Sequence, residues 1–122
     1  MLNGRTVLIV EEEFLIALDL QRMLEGLGVG QTLFARNAAE AEQLRAQWPD
    51  IALALVEIRY EDAPAESLVS RLADARIPVV LTTSDDGVRR GLPQFFHLPL
   101  VVKPVPESAL ASATHKALAT FL

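Results

Sequence analysis

Three short polar clusters each close an apolar run: Glu11-Glu12-Glu13 after Thr6–Val10, Thr82-Thr83-Ser84 after Pro78-Val79-Val80-Leu81, and Lys103-Pro104 after Leu100-Val101-Val102. Carboxylates converging at strand ends repel anions and offer oxygen ligands to a hard cation; Mg2+ typically takes few carboxylates and keeps several waters. Each cluster also has an ordinary reading. Glu12 and Glu13 would favour the first turn of a helix by about 0.3–1 kcal/mol each, threonine and serine suit any turn after a strand, and a lysine at a strand end is commonly solvated. A fourth run, Ile51-Ala52-Leu53-Ala54-Leu55-Val56-Glu57-Ile58, carries Leu55 within it and Glu57 near its end. Leucine has no lone pair, so position 55 can neither attack an electrophile nor ligate a metal. Side chains alternate along a strand, which puts Glu57 on the same face as Leu55, one pleat further on.

The elements that must hold these residues alternate between strand and helix five times. Thr6–Val10 reads as a strand covered on both faces, as in a parallel sheet. Ile16, Leu20, Met23, Leu24 and Leu27 then recur at helical spacing from about Glu12 to Leu27, with Gly28 placed as a C-terminal cap. Gln31–Ala35 is a weak second strand, and Asn37 can cap a helix running through Trp48 until Pro49 stops it. The third strand runs from about Ile51 to Ile58, followed by a helix over Ala65–Ala75 and a strand over Pro78–Thr82. Asp85–Leu98 contains Gly87, Gly91 and Pro93, so its helix should be short or irregular. Leu92, Phe95, Phe96 and Leu98 within it are either packed or exposed together. A last strand, Leu100–Val102, precedes a helix over Pro106–Phe121. This alternation predicts an α/β fold: a flavodoxin-like, doubly wound, five-stranded parallel sheet of order 2-1-3-4-5 between two helical layers. Chemistry in such sheets gathers at the carboxyl ends of the strands flanking the switch point, here the first and third.

Composition narrows the function classes. A chain of 122 residues suits one domain, 1–122, because single cores usually occur at roughly 100–150 residues. With 51% hydrophobic residues and a mean hydropathy of +0.28 it can fill a core. No apolar run approaches the ~20 residues of a membrane span, and the start lacks a signal-peptide core, so a soluble, cytoplasmic protein is expected. There is no cysteine, which removes disulfides, thiolate metal sites and cysteine nucleophiles. A net charge of −5 argues against nucleic-acid binding, which needs a clustered basic face. His97 and His115 have no second histidine or cysteine at ligand spacing. No Ser/His/Asp arrangement or strand-bound Gly-x-Ser-x-Gly elbow is present, and no aspartate follows a strand as a hydrolase nucleophile would.

In this order, the acid run, the hydroxyl cluster and Lys103-Pro104 resemble the receiver domain of two-component response regulators, of the stand-alone type, over essentially the whole chain. The tract Gly91-Leu92-Pro93-Gln94-Phe95-Phe96 is similar to the region before the last strand in some bacterial stand-alone receivers. The resemblance implies an Mg2+ site at Glu11 and Glu12, a phosphoacceptor position at Leu55, a switch hydroxyl at Thr83 and a phosphate-contacting lysine at Lys103. In that family a carboxylate attacks phosphohistidine while Mg2+ and the lysine neutralise the transferred phosphoryl and the threonine bonds the product. The Lys-Pro bond there is often cis, as X-Pro bonds can be.

Three departures follow. Leu55 excludes phosphotransfer at its position and removes a metal ligand. Glu12 stands where aspartate is usual, displacing the carboxylate by ~1.5 Å, a scale on which preorganised sites lose geometry; Mg2+ should bind weakly or not at all. Leu100 occupies the aromatic switch position. The reading is therefore a degenerate, non-enzymatic receiver acting by protein contact, with a signalling partner such as a histidine kinase or an output protein, or with a second copy as a homodimer, and with no nucleic acid or membrane. Glu57 could pair with Lys103 and imitate the charge of a phosphorylated state. The alternative is a working phosphoacceptor that uses Glu57 or Glu12 with Mg2+.

Overall fold

The computed structural model describes residues 1–120. Five parallel strands, β1 (Thr6–Val10), β2 (Thr32–Ala35), β3 (Ile51–Glu57), β4 (Val79–Thr83) and β5 (Leu100–Val102), form one sheet of order β2-β1-β3-β4-β5. This is the flavodoxin-like order expected from the alternation. Four α-helices cover it: α1 (Phe14–Glu25), α2 (Ala38–Gln43), α3 (Ala63–Asp74) and α4 (Glu107–Ala119). None of the described helices is long and apolar enough to cross a membrane.

Strand alternation divides the core in two. Leu8, Val10, Ala54, Val56, Val79 and Leu81 meet Ala41 of α2, Leu68, Val69 and Leu72 of α3, and Trp48 on one side. Val7, Ile9, Leu53, Leu55 and Val80 meet Ala17, Leu20 and Leu24 of α1 and Leu110, Ala113 and Ala117 of α4 on the other. β1 and β3 are buried on both faces because helices lie on both sides, and this is why they read as continuous apolar runs.

Several boundaries differ from expectation. The helix expected to run through Trp48 ends at Gln43, and Arg45–Asp50 is a 3₁₀-helix containing Pro49. The buried Trp48 indole donates to the Ala41 carbonyl at 3.0 Å, an acceptor that a continuing α-helix would give to the amide four residues on. Asn37 does cap α2, its side chain accepting from the Glu40 amide at 2.9 Å. Helix α1 starts at Phe14, not Glu12, and its first turn holds no acid, so Glu12 and Glu13 lie ahead of it. The segment 85–98 contains only a 3₁₀-helix at Pro93–Phe95. Within it Phe95 is buried in the α3-side core while Phe96 is 85% exposed. Position 121, to which the last helix was expected to extend, lies outside the described residues.

Candidate functional site

Parallel strands that all point the same way bring their carboxyl ends to one edge. Glu11 leaves β1, Glu57 ends β3, Thr83 ends β4 and Lys103 follows β5. Glu11, Glu57 and Lys103 continue the parity of the α1/α4-side residues Ile9, Leu55 and Val101, so their side chains converge above that half of the core.

Lys103 is the centre of the site. Its ammonium donates to Glu11 Oε1 at 2.8 Å and to Glu57 Oε2 at 2.5 Å. The Glu11 side chain is fully buried and that of Lys103 is 7% exposed. Glu11 Oε2 accepts the Glu13 amide at 3.0 Å, so both oxygens of this buried carboxylate are satisfied, as burial of a charge requires. Burial works against ionisation of Glu57, but the Lys103 hydrogen bond and charge outweigh it and hold the carboxyl below its usual range. Burial likewise works against a charged Lys103, and the hydrogen bonds it donates to Glu11 and Glu57 overcome it, raising its affinity for the proton.

Leu55 does not lie in this site. It has no solvent exposure and sits beside Ile9 and Val80 in the strand register, among the residues facing α1 and α4. The side chain of β3 that reaches Lys103 belongs to Glu57, one pleat further toward the carboxyl edge. The strand end thus presents a carboxylate after all, with one methylene more than aspartate.

Glu12 points elsewhere. Its side chain is 61% exposed and accepts from the Arg59 guanidinium at 2.6 Å. Arg59 also lies 3.7 Å from Glu57 Oε1, and the Glu12 amide faces the same oxygen at 3.4 Å. The arginine was not anticipated from sequence. Its signal was faint: a cation two positions after Glu57 in a turn otherwise rich in acids.

Thr83 is fully buried, and its hydroxyl is engaged away from the carboxylates. It donates to the Ile58 carbonyl at 2.7 Å and accepts the Asp85 amide at 3.0 Å. Asp85 in turn accepts from the amides of Tyr60 and Gly87, each at 2.8 Å, and these bonds keep its carboxyl below the usual range. Together they tie the loop after β4 to the loop after β3. The Lys103-Pro104 bond is cis. Leu100 lies partly buried in β5 against the α3-side core, and His97 and His115 are exposed.

The donor set would suit Mg2+ by chemistry, being carboxylates at a strand edge, but not as arranged. Glu11 and Glu57 are occupied by Lys103, and Glu12 by Arg59. Among the described residues no three His, Cys, Asp or Glu side chains converge in a geometry able to hold a metal ion. Two side-chain cations, Lys103 and Arg59, stand among these acids.

No protein-family model matches the chain. Over 80 residues, 64% of its length, it is 31% identical to the phyllosphere-induced regulator PhyR of Methylorubrum extorquens, a match that covers 30% of that protein. The structure of the PhyR stress response regulator superposes with a TM-score of 0.76 at 25% identity, over 97% of this chain and 46% of that one. A variant of the anti-anti-sigma factor PhyR from Bartonella quintana gives 0.70 at 28% identity, over 97% and 49%. The signal receiver domain of a diguanylate cyclase from Desulfovibrio desulfuricans gives 0.74 at 27%, over 96% and 95%. The chain therefore spans less than half the length of the PhyR proteins it matches, and nearly all of an isolated receiver. With its strand order, the edge on which its acids and lysine meet and these likenesses, the chain has the flavodoxin-like fold of response-regulator receiver domains and is similar to them over nearly its whole length.

Proposed function

We propose that this receiver transmits a signal by protein contact and is not switched by phosphorylation of a carboxylate. One observation carries the reading: Lys103 is held at once by Glu11 and Glu57, which leaves neither a free cation to receive a phosphoryl group nor free carboxylates to ligate a metal. An attacking carboxylate must present an unshared oxygen to phosphorus with its charge-neutralising partners in place. Here the oxygen nearest the lysine is already bonded, and the other faces Arg59 and the Glu12 amide. Glu57 acts as a built-in partial mimic of a phosphorylated residue: it keeps a negative charge on Lys103 permanently but leaves Thr83 on the Ile58 carbonyl.

The partner is a signalling protein, a histidine kinase or an output protein, or a second copy of the chain. Because one similar structure is described as an anti-anti-sigma factor, a protein of the anti-sigma kind is the first to test. The experiment is incubation with acetyl phosphate and Mg2+, read by intact mass, alongside partner binding with and without the phosphodonor. Unchanged mass and donor-independent binding are expected. An acyl phosphate on Glu57 or Glu12 would overturn the reading and make the domain an acceptor with a non-standard carboxylate.

A further inference from the structure

At the opposite, amino-terminal pole of the sheet the chain shows a different chemistry. A depression of about 450 Å³ is walled by Arg5, Arg76 and His115 together with Ile51, Pro78 and Leu118. Among the described residues no carboxylate lines it, in a chain whose net charge is −5. Among the described residues neither Arg5 nor Arg76 forms an ion pair with an acid. Asp50 and Asp74, the acids nearest in sequence to these walls, are outside the lining.

The cations are mounted on fixed backbone. The Arg5 carbonyl accepts the Gly30 amide at 2.9 Å, its amide donates to the Leu2 carbonyl at 3.1 Å, and Leu2 is fully buried. Its Nε donates to the Leu2 carbonyl at 3.0 Å, leaving both terminal nitrogens as donors. Arg76 follows α3 with φ of 62°, a left-handed position at a helix end that glycine or asparagine fills more cheaply, and its amide donates to the Ala73 carbonyl at 2.9 Å. An arginine kept at such a position supplies a side chain where the backbone alone would favour none.

We propose that this depression binds a small organic phosphate, the anionic head on the Arg5 and Arg76 guanidinium groups and the His115 ring, the apolar body against Ile51, Pro78 and Leu118. Guanidinium groups pair with phosphate oxygens through charge-assisted, often bidentate hydrogen bonds, and apolar lining with a few convergent polar groups is the usual make-up of a small-molecule site. The ligand is held at the far end of the domain from Lys103, so its binding is independent of the proposal made for that site.

The test is a titration followed by backbone amide shifts, using phenyl phosphate, inorganic phosphate and phenol as probes. Phenyl phosphate should saturate the shifts of Arg5, Ala52 and Arg76. Phosphate should bind about tenfold more weakly for want of the apolar contact, and phenol should not bind. Arg76→Gln and Arg5→Gln should each weaken phenyl phosphate by about tenfold at unchanged melting temperature, and Arg22→Gln on α1 should have no effect. If Arg5→Gln disturbs the fold, Arg76→Gln decides alone. Shifts that do not saturate, that chloride reproduces at equal ionic strength, or that persist undiminished in Arg76→Gln would overturn the site. Equal binding of phosphate and phenyl phosphate would overturn its assignment to an organic ligand.

Discussion

Lys103 and Glu57 meet at 2.5 Å although β3 and β5 are not neighbours: β4 lies between them, and the lysine reaches over its end. It also reaches past β3 to Glu11 beyond β1. One ammonium thereby fastens the carboxyl ends of the central strands and concentrates three charges in a nearly closed space.

Loss of the lysine should cost more than loss of either acid. Lys103→Met leaves the buried Glu11 carboxylate facing Glu57 with no cation between, and breaking a buried pair in this way costs about 3–5 kcal/mol. Glu57→Gln leaves Lys103 on Glu11 and should cost about 1–3 kcal/mol, the scale of a charged hydrogen bond. Urea unfolding of both variants measures this. Equal losses would mean that Lys103 is better solvated than its burial indicates.

The same pair predicts how stability follows pH. Glu57 has a lowered pKa in the folded state, so its contribution is present above the unfolded value of about 4.3 and is lost as pH falls through the folded value. Lys103 is raised, so its contribution is complete below an unfolded value of about 10.4 and is lost as pH rises through the folded one. The urea midpoint should stay level between these limits and fall on both sides. Lys103→Met should abolish the alkaline decline and also the part of the acid decline that Glu57 supplies, since without its partner burial disfavours the Glu57 carboxylate and protonation relieves its repulsion with Glu11. An unchanged alkaline limb in that variant would assign it to other groups.

Leu55→Asp tests where β3 ends. Leu55 is wholly enclosed between the sheet and helices α1 and α4, so the substitution combines a core truncation with a buried charge and should cost about 4 kcal/mol or more. Mg2+ should not restore the loss, because position 55 lies below the carboxyl edge. A cost under about 1 kcal/mol, or recovery with Mg2+, would place this side chain in the site instead.

How far the molecule was legible in its sequence depends on what marked each element. Thr6–Val10 and Leu100–Val102 were readable to the residue because a charged or polar residue closes each run, and the sheet order followed from the alternation. Position along β3 was not, because a strand buried on both faces has no polar alternation to mark its pleat; Leu55 and Glu57 share a face, and only the pairing of Glu57 with Thr82 on β4 shows which stands at the edge. The helix through Trp48 failed because a tertiary hydrogen bond to Ala41 overrode local spacing. Phe95 and Phe96 were adjacent in one apolar tract, yet a 3₁₀ turn sends the first into the core and the second to solvent. Arg59 left only a faint signal because its partners, Glu12 and Glu57, meet only when two loops fold over the sheet edge.

The final expectation concerns the metal. For Mg2+ to enter between Glu11, Glu12 and Glu57 it must displace the ammonium of Lys103 from two carboxylates and Arg59 from a third, and it surrenders its own water reluctantly. Calorimetric titration of the wild-type domain with MgCl2 should therefore show no saturable binding at millimolar concentration. Removing the internal cation should reverse this: in Lys103→Met the acids repel one another, and a divalent ion relieves that repulsion while repairing the lost stability. The variant's urea midpoint should then rise with added Mg2+ and not with an equal ionic strength of NaCl, whereas the wild-type midpoint should respond to the two salts alike. Tight Mg2+ binding by the wild type, abolished by Glu11→Gln, would show that the lysine yields to the metal and that the pocket is open to phosphoryl chemistry.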